Sequence, residues 1–227
     1  MLIAEIGNNG LGDFNLTQEL IISAKESGAD AVKMQAFDPE TITGSMPQEF
    51  YNQCHFEQED CIRLLEFSKS CGIDLFFSIF SKDYSELYEL MKYRKLSASQ
   101  ARELGKDIVY YDHRQYFISV PVDMDIPKIY QATVLHVNDY CIDEDENLDR
   151  ILYLQKNCYE KVGLSDHSIT IDTCLKAIRE YGVETIEKHF CLEKQKNNIY
   201  FNGKLFRDSV HSATPKEFET IAKEMKK

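Results

Sequence analysis

The sequence lacks the surplus of basic residues that binding to nucleic acids or anionic membranes requires. Its 227 residues include 26 Lys and Arg against 38 Asp and Glu, which gives a formal net charge of −12 at pH 7. Attraction to a phosphate backbone depends on Lys and Arg side chains that release its counterions. We therefore expect a protein that binds neither nucleic acids nor membrane surfaces.

Paired cysteines, export signals and membrane spans are missing as well. The seven cysteines are odd in number and show no short paired spacing, so we expect reduced thiols in a cytoplasmic protein. The N-terminus MLIAEIGNNG has no basic segment and soon turns polar, unlike a signal peptide. No apolar run approaches the roughly 20 residues that cross a bilayer. Because no repeat or Gly/Ser linker interrupts the chain, we expect residues 1–227 to form one domain.

The chain does contain an alternation of strand and helix patterns. Eight runs rich in β-branched or aromatic residues predict the strands Leu2–Ile6, Asp30–Gln35, Asp74–Phe80, Arg94–Ser97, Phe117–Val122, Thr133–Val137, Lys161–Leu164 and Glu184–Lys188. Helical periodicity predicts helices at Leu16–Ser27, Gln58–Cys71, Asn147–Lys156, Ile171–Tyr181 and Pro215–Lys226. This alternation is typical of βα units around a parallel sheet. It favours a (β/α)₈ TIM barrel, with an open doubly wound sheet as the alternative.

The spacing of the predicted strands also indicates where the barrel departs from regularity. Few residues separate strands four, five and six, so we expect shortened helices after strands 4 and 5. The two least regular stretches, Phe37–Phe56 and Lys194–Asp208, follow the C-termini of strands two and eight. TIM barrels hold their active sites at that end of the strands, so both stretches are predicted to be active-site loops.

Polar side chains recur where the predicted strands end. They are Glu5, Lys33, Gln35, Ser78, Ser81, Lys95, Asn138, Ser165, Asp166, His167, Lys188 and His189. Taken alone, a lysine or glutamate at a strand end is more often simply solvated. Lys33 and Lys95, however, lie in otherwise apolar or small-residue strands, where an unpaired ammonium group is costly. An anionic ligand would relieve that cost.

Two histidines end consecutive strands. Neighbouring strands lie about 4.8 Å apart, so the imidazoles of His167 and His189 can converge on one ion. Two neutral nitrogen ligands, completed by water and substrate oxygens, suit Mn²⁺, Mg²⁺, Fe²⁺ or Zn²⁺. A single histidine at a strand end is more often a structural residue than a metal ligand. The pair of histidines at the same level of the barrel is what predicts a metal site. The other histidines show no such pairing: His55, His113, His136 and His211.

Four motifs match the pattern of one known family. IAEIGNNGLGD resembles its opening IAEIG-x-N-H-x-G, and SGADAVKMQAF resembles AGADAVKFQTF. VGLSDHSITIDTCLKAIREYGVETIEKHF resembles its SDH-to-IEKHF block, and FRDSVHSATPKEFETI resembles GPDHxxSxxPxEF. The chain thus resembles the sialic acid synthases, which are phosphoenolpyruvate-dependent condensing enzymes with a TIM-barrel catalytic domain.

The resemblance implies a role for each matching residue. His167 and His189 would bind a divalent metal, Mn²⁺ or Mg²⁺, and Glu5 would lie near the reacting carbons. The residues implied to hold phosphoenolpyruvate are Lys33, Ser78, Lys95, Asn138 and Ser165. Those implied to touch the acceptor are Gln35, Tyr140 and Asp208. The implied reaction joins phosphoenolpyruvate to an amino-sugar aldehyde and gives a nonulosonic, sialic-acid-like acid for surface polysaccharide, with Glu5, Lys33 and Lys95 as catalytic residues.

Departures from the family pattern keep other interpretations open. Gly10 replaces a histidine, Ala98 a phosphate-binding serine and Gln100 a sugar-side glutamate. The family's C-terminal antifreeze-like domain, which supplies an arginine to the sugar pocket of the dimer mate, has no counterpart here. We therefore expect a homodimer mate or a separate subunit to complete the acceptor pocket, or a different acceptor sugar. The alternatives are a degenerate barrel that binds sugar or a partner protein without turnover, and another metal-dependent aldolase or isomerase.

Overall fold

Eight parallel strands form a closed barrel and follow one another in sequence order. The computed structural model describes residues 1–42, 44, 46–105, 113–124, 132–138, 143, 147–157, 161–193 and 200–227. The barrel strands are β1 (Leu2–Gly7), β2 (Ala31–Ala36), β3 (Asp74–Ile79), β4 (Tyr93–Leu96), β5 (Gln115–Pro121), β6 (Ala132–Val137), β7 (Lys161–Asp166) and β8 (Ile186–His189). Because β8 pairs with β1, with Ile186 opposite Leu2, the sheet has no open edge. The predicted TIM barrel is confirmed.

Helices connect the strands. They are α1 (Phe14–Glu26), α2 (Gln48–Cys54), α3 (Gln58–Cys71), α4 (Ser85–Leu90), α5 (Ala98–Leu104), α6 (Arg150–Asn157), α7 (Asp172–Tyr181), α8 (Arg207–Val210) and α9 (Pro215–Glu224). The helix after β4, α5, has seven residues, as the short spacing predicts. After β5, residues 125–131 lie outside the described part of the chain.

Both stretches predicted to be irregular contain secondary structure that the sequence patterns did not reveal. Helix α2 lies within Phe37–Phe56, and a hairpin of β9 (Tyr200–Phe201) and β10 (Lys204–Leu205) lies within Lys194–Asp208. These elements are short, and a run of two residues is below the length at which strand periodicity can be recognised.

The helices follow from apolar periodicity and capping. In α1, Thr17, Leu20, Ile21 and Ala24 are buried, which is the spacing of one helical face. Helix α9 begins at Thr214, whose hydroxyl oxygen accepts a hydrogen bond from the Glu217 N–H while the Glu217 carboxylate accepts one from the Thr214 N–H. This capping box satisfies two N–H groups that have no partner within the helix.

An aromatic layer fills the barrel interior beneath the polar strand ends. The rings of Phe76, Tyr93 and Phe117 lie 5.5–5.7 Å apart between centroids. Each stands two residues before a polar residue on its own strand, namely Ser78, Lys95 and Ser119. Since side chains two apart on a strand share a face, the aromatic layer forms the floor on which the polar layer lies.

Within the described ranges, no helix is long and apolar enough to cross a membrane. Five cysteines of this part of the chain are free thiols: Cys54, Cys61, Cys71, Cys174 and Cys191. Cys141 and Cys158 lie outside the described residues. Burial raises the pKa of the Cys54 and Cys61 thiols to about 12, so both remain protonated small apolar groups at neutral pH.

Candidate active site

A cavity of about 360 Å³ lies at the C-terminal ends of the barrel strands; we refer to it as the inner cavity. It brings together eight of the predicted site residues, namely Glu5, Lys33, Gln35, Ser78, Lys95, Ser165, His167 and His189. Strand pairing accounts for this convergence. Glu5 lies opposite Lys33 on one side and His189 on the other, and Ser78 lies opposite Lys95. The sequence spacing alone had placed these residues at one end of the sheet.

Both predicted anion-binding lysines are paired with carboxylates of the chain itself. Lys33 forms an ion pair with Glu5 and lies 3.3 Å from the Ser78 hydroxyl. The Lys95 ammonium lies 3.0 Å from a Glu187 carboxylate oxygen and donates a 2.7 Å hydrogen bond to the Ser119 hydroxyl. An anionic ligand is therefore not needed to relieve the cost of burying these ammonium groups, because Glu5 and Glu187 supply the counter-charges.

Burial changes the protonation behaviour of this polar layer. It lowers the pKa of Lys33 to about 8 and also lowers the pKa of Lys95. Burial by itself would raise the pKa of Glu187, but the nearby Lys33 and Lys95 ammonium groups outweigh it and lower that pKa. Glu187 is thus a carboxylate at neutral pH, and Lys33 gives up its proton unusually easily for a lysine.

Glu187 also lines the inner cavity and is absent from the site residues predicted from the sequence. It accepts hydrogen bonds from Lys95 and, at 2.8 Å, from the Ser165 hydroxyl. The signal was its place two residues before His189, since alternate residues of a strand share a face. Lys188, between them, extends to the opposite face, where its ammonium lies 2.6 Å from Asp166 and is fully buried. Strand β8 therefore supplies one charge network inside the barrel and another outside it.

Three histidines form a cluster at the rim of the inner cavity. His167, His189 and His211 each offer one ligand atom, and these atoms lie within 4.8 Å of one another. The ring centroid of His211 is 4.5 Å from that of His189 and 5.1 Å from that of His167. The sequence interpretation that left His211 without such a pairing is wrong. The chain returns to β8 through the bridge between Phe190 and Ala213, which brings His211 alongside.

The polar contacts of the histidine cluster fit metal binding. The Nδ1 atom of His167 lies 2.7 Å from the Asn138 carbonyl oxygen, a contact that orients the ring and leaves Nε2 available. The Nδ1 atom of His189 is buried without a hydrogen-bond partner in the described part of the chain. Burial, together with His211 and His167, lowers the pKa of His189. A neutral imidazole is the form that coordinates a metal.

A second cavity of about 670 Å³ adjoins the first, and we refer to it as the outer cavity. Gln35, Phe80 and Ser99 line both cavities. Asp208, predicted to touch the acceptor, lines only the outer one, and burial raises its pKa. Tyr140, also predicted to touch the acceptor, lies outside the described residues. Asn138 lines neither cavity, and its described contact is the carbonyl oxygen next to His167.

One wall of the outer cavity joins the two predicted active-site loops. Phe50 of α2 packs against Phe206 with ring centroids 4.9 Å apart, and both rings are buried. Phe37 and Tyr51 belong to the same apolar cluster. The role of Lys194–Asp208 as an active-site loop remains a prediction, because residues 194–199 lie outside the described chain.

The structure gives local reasons for two departures from the family pattern. The Gln100 side-chain oxygen accepts a 3.0 Å hydrogen bond from the Ser97 N–H in the capping box of α5, and its amide donates a 2.7 Å bond to the Ile79 carbonyl oxygen. Gln100 is thus held by backbone contacts although it borders the outer cavity. At Gly10, a Cβ atom would stand 2.2 Å from the Thr17 hydroxyl oxygen, so a larger residue there requires Thr17 to move.

The chain is similar to known sugar acid synthases. Residues 129–227 match the model of the NeuB family. The N,N'-diacetyllegionaminic acid synthase of Legionella pneumophila is 28% identical over 233 residues, which cover 85% of this chain and 64% of that protein. The pseudaminic acid synthase of Campylobacter jejuni is 25% identical over 225 residues, which cover 85% of this chain and 65% of that protein. The chain thus spans about two thirds of the length of these relatives.

A solved structure shares the fold. The N-acetylneuraminic acid synthetase of Leptospira borgpetersenii superimposes with a TM-score of 0.77 at 23% identity, covering 99% of this chain and 82% of that one. The resemblance first indicated by the SDH and IEKHF motifs is confirmed by these matches. Residues 129–227 carry the match to the NeuB family, and the chain is similar to the legionaminic and pseudaminic acid synthases at 25–28% identity.

Proposed function

We propose that the protein condenses phosphoenolpyruvate with an amino-sugar aldehyde to give a nonulosonic acid. One observation carries the proposal: two buried ammonium groups, those of Lys33 and Lys95, line the same cavity as the imidazoles of His167 and His189. Phosphoenolpyruvate bears a carboxylate and a phosphate, which match two ammonium groups. The matches to pseudaminic and legionaminic acid synthases support this class of product.

The charges of the inner cavity require a cation before an anionic substrate is attracted. The positive charges of Lys33 and Lys95 are offset by Glu5 and Glu187, and that of Arg102, which also lines this cavity, is offset by Asp123. A divalent cation held by the histidine cluster would add positive charge and polarise the aldehyde oxygen as a Lewis acid. The resemblance implies Mn²⁺ or Mg²⁺ in this role. We therefore expect phosphoenolpyruvate to bind weakly to the metal-free protein.

The chain's own residues then divide the work between the two cavities. Lys33 and Lys95 hold the carboxylate and phosphate in the inner cavity, with the Ser78 and Ser119 hydroxyls as further donors. C3 of phosphoenolpyruvate attacks the aldehyde carbon, water adds at C2, and phosphate leaves. Glu5, which stands next to His189 in register, accepts the proton of that water, a role that depends on hydrogen-bond reach.

The outer cavity is proposed to hold the acceptor sugar. Its polar residues include Asn8, Gln35 and Asp208, and its apolar wall includes Phe50 and Phe206. Such a combination suits a sugar with hydroxyl groups on one side and acyl or deoxy groups on the other. Because a dimer mate contributes to the sugar pocket in the family that the chain resembles, we also propose that a second copy or a separate subunit completes this cavity.

Phosphate release tests the proposal. The purified protein is incubated with phosphoenolpyruvate, a divalent cation and either N-acetylmannosamine or a 6-deoxy diacetamido sugar. We expect release that depends on both cation and sugar in the wild type and is lost in His189→Ala. The variant His55→Ala is the control, because His55 lies against Phe37 and Glu57, away from the histidine cluster. No release with any sugar, with or without added partner subunit, would contradict the proposal.

A degenerate, non-catalytic barrel is the second candidate. The observation in its favour is that Gln100 is engaged in the capping box of α5 and that Ala98 brings no hydroxyl to the inner cavity. Calorimetry, which measures ligand binding, combined with the phosphate-release assay distinguishes this candidate from the proposed enzyme. A protein that binds sugar or phosphoenolpyruvate in the presence of a cation, without releasing phosphate, is the result that this candidate predicts.

A further inference from the structure

We propose that His211 is a third protein ligand of the metal centre, and that the resulting three-imidazole site selects Zn²⁺, Co²⁺ or Fe²⁺ over Mg²⁺ and Mn²⁺. The family resemblance implies only His167 and His189 as ligands. The inference rests on the metal site of the proposed function, and it does not depend on turnover.

The geometry of the histidine cluster suits a single ion. One ligand atom of each ring lies within 4.8 Å of the others. Two nitrogens that bind one Zn²⁺ ion at about 2.0–2.1 Å are roughly 3.4 Å apart at tetrahedral angles. Small side-chain rotations therefore close the cluster around an ion. His189 and His211 are each 6% exposed, so the surrounding protein would shield most of a bound ion from solvent.

The backbone around His211 is fixed to the strand that carries His189. The Ala213 N–H donates a 2.7 Å hydrogen bond to the His189 carbonyl oxygen. Between these two residues, Ser212 accepts a 2.9 Å hydrogen bond on its hydroxyl oxygen from the Asn9 amide. These contacts of the two residues that follow His211 fix the backbone that carries the imidazole beside His189. A preorganised ligand loses less conformational freedom on binding, so it contributes more to affinity.

Neighbouring groups complete the environment of the third ligand. The Asp208 carboxylate oxygen lies 3.9 Å from Nε2 of His211, near enough to orient the ring through a short adjustment. Carboxylates in that position commonly fix the tautomer of a metal-binding histidine. The Nδ1 atom of His189 is buried without a hydrogen-bond partner in the described ranges, so this nitrogen is available to bind an ion.

The chemistry of three neutral nitrogens decides which cations are favoured. Mg²⁺ prefers oxygen ligands and near-octahedral geometry. For a nitrogen-rich site the affinity rises from Mn²⁺ through Fe²⁺ and Co²⁺, and Zn²⁺ is also bound well. Three histidines with an open fourth position form a known catalytic zinc arrangement. The open position leaves room for an aldehyde oxygen, so tighter metal binding is compatible with the proposed reaction.

Metal titration of the 227-residue protein tests the inference without substrate. Metal-free protein is titrated with Co²⁺ while its visible d–d absorption is followed, and then with Zn²⁺ and Mn²⁺ in competition. We expect one Co²⁺ per chain, displaced by Zn²⁺ and not by equimolar Mn²⁺. His211→Ala should weaken Zn²⁺ binding by at least about a hundredfold, beyond the tenfold to hundredfold effect of losing an outer-shell partner. The matched control, His55→Ala, should leave it unchanged.

A second variant keeps the test decisive if His211→Ala fails to fold. His211→Cys replaces the imidazole with another metal ligand, and its Co²⁺ complex should show a sulfur-to-cobalt charge-transfer band in the near ultraviolet. Absence of that band in folded protein, or equal Zn²⁺ affinity in His211→Ala and wild type, would overturn the inference. Tight Zn²⁺ binding through His211 without phosphate release would instead contradict the proposed function and leave this inference standing.

Discussion

Replacing Lys95 with methionine tests the carboxylate–ammonium pairing that underlies the polar layer. The Lys95 side chain is 1% exposed and its ammonium group lies 3.0 Å from the Glu187 carboxylate. Lys95→Met would leave Glu187 buried, with the Ser165 hydroxyl as its remaining hydrogen-bond partner among the described residues and with Lys33 as the nearby charge. Removing one member of a buried ion pair costs about 3–5 kcal/mol, a large part of the roughly 5–15 kcal/mol that stabilises a typical domain.

Lys92 provides the matched control. Its ammonium pairs with Asp74 at 2.6 Å, but its side chain is 62% exposed. Exposed ion pairs contribute about 0–1 kcal/mol, so Lys92→Met should change the free energy of unfolding very little. The comparison separates the effect of burial from the effect of losing a lysine.

Urea denaturation of the metal-free protein at pH 7, followed by circular dichroism, measures both variants and the double variant Lys95→Met with Glu187→Gln. Because the second substitution removes the unpaired charge, we expect the double variant to recover part of the lost stability. The reasoning is refuted if Lys95→Met costs no more than Lys92→Met. It is also refuted if Glu187→Gln adds a further loss of the same size in the Lys95→Met background as in the wild type.

Three further predictions concern ligand binding. Phosphoenolpyruvate affinity in the presence of a cation should fall as pH rises through about 8. Burial lowers the pKa of Lys33 to about 8, so the Lys33 ammonium loses its charge above that pH. Calorimetry between pH 6.5 and 9 would show the decrease, and an affinity that does not change with pH would contradict the prediction. Arg102→Gln should weaken phosphoenolpyruvate binding roughly fivefold, because Arg102 lines the inner cavity. This corresponds to about 1 kcal/mol for a half-exposed charge. Arg63→Gln is the control, since Arg63 is exposed and pairs with Asp60. Phe50→Leu should raise KM for the acceptor and leave the Kd of phosphoenolpyruvate unchanged, since Phe50 lines only the outer cavity; parallel changes in both constants would argue against two separate subsites.

The barrel and much of its polar layer could be predicted because both depend on local periodicity. A residue that ends one parallel strand lies near the residue that ends the next, so neighbouring strands alone bring His167 and His189 together. The same reasoning places Lys33 beside Glu5 once β1 and β2 are assigned. These inferences require only the identity and order of the strands.

Contacts that depend on the path of long connections could not be predicted. His211 follows β8 by more than twenty residues, and its place in the cluster is set by the bridge between Phe190 and Ala213. Nothing in local periodicity indicates such a return. The ion pair between Lys95 and Glu187 joins strands β4 and β8, which are not neighbours in the sheet, so it crosses the barrel interior. Assigning the strands predicts that both side chains point into the barrel, but it does not predict the distance between their charged groups.

The two cavities are built from different structural elements, so they differ in how easily substitutions can change them. The inner cavity is built mainly from barrel strands and buried charge pairs, where one substitution disturbs several partners. The apolar wall of the outer cavity comes from α2 and the segment around Phe206, two connections that meet through side-chain packing. Under the proposed function, grafting this pair of connections from a relative should therefore transfer acceptor preference while the phosphoenolpyruvate-binding residues are retained. Because Phe50 and Phe206 pack on each other, the two connections would need to be exchanged together, and a chimera carrying only one of them should lose acceptor selectivity before it gains a new one.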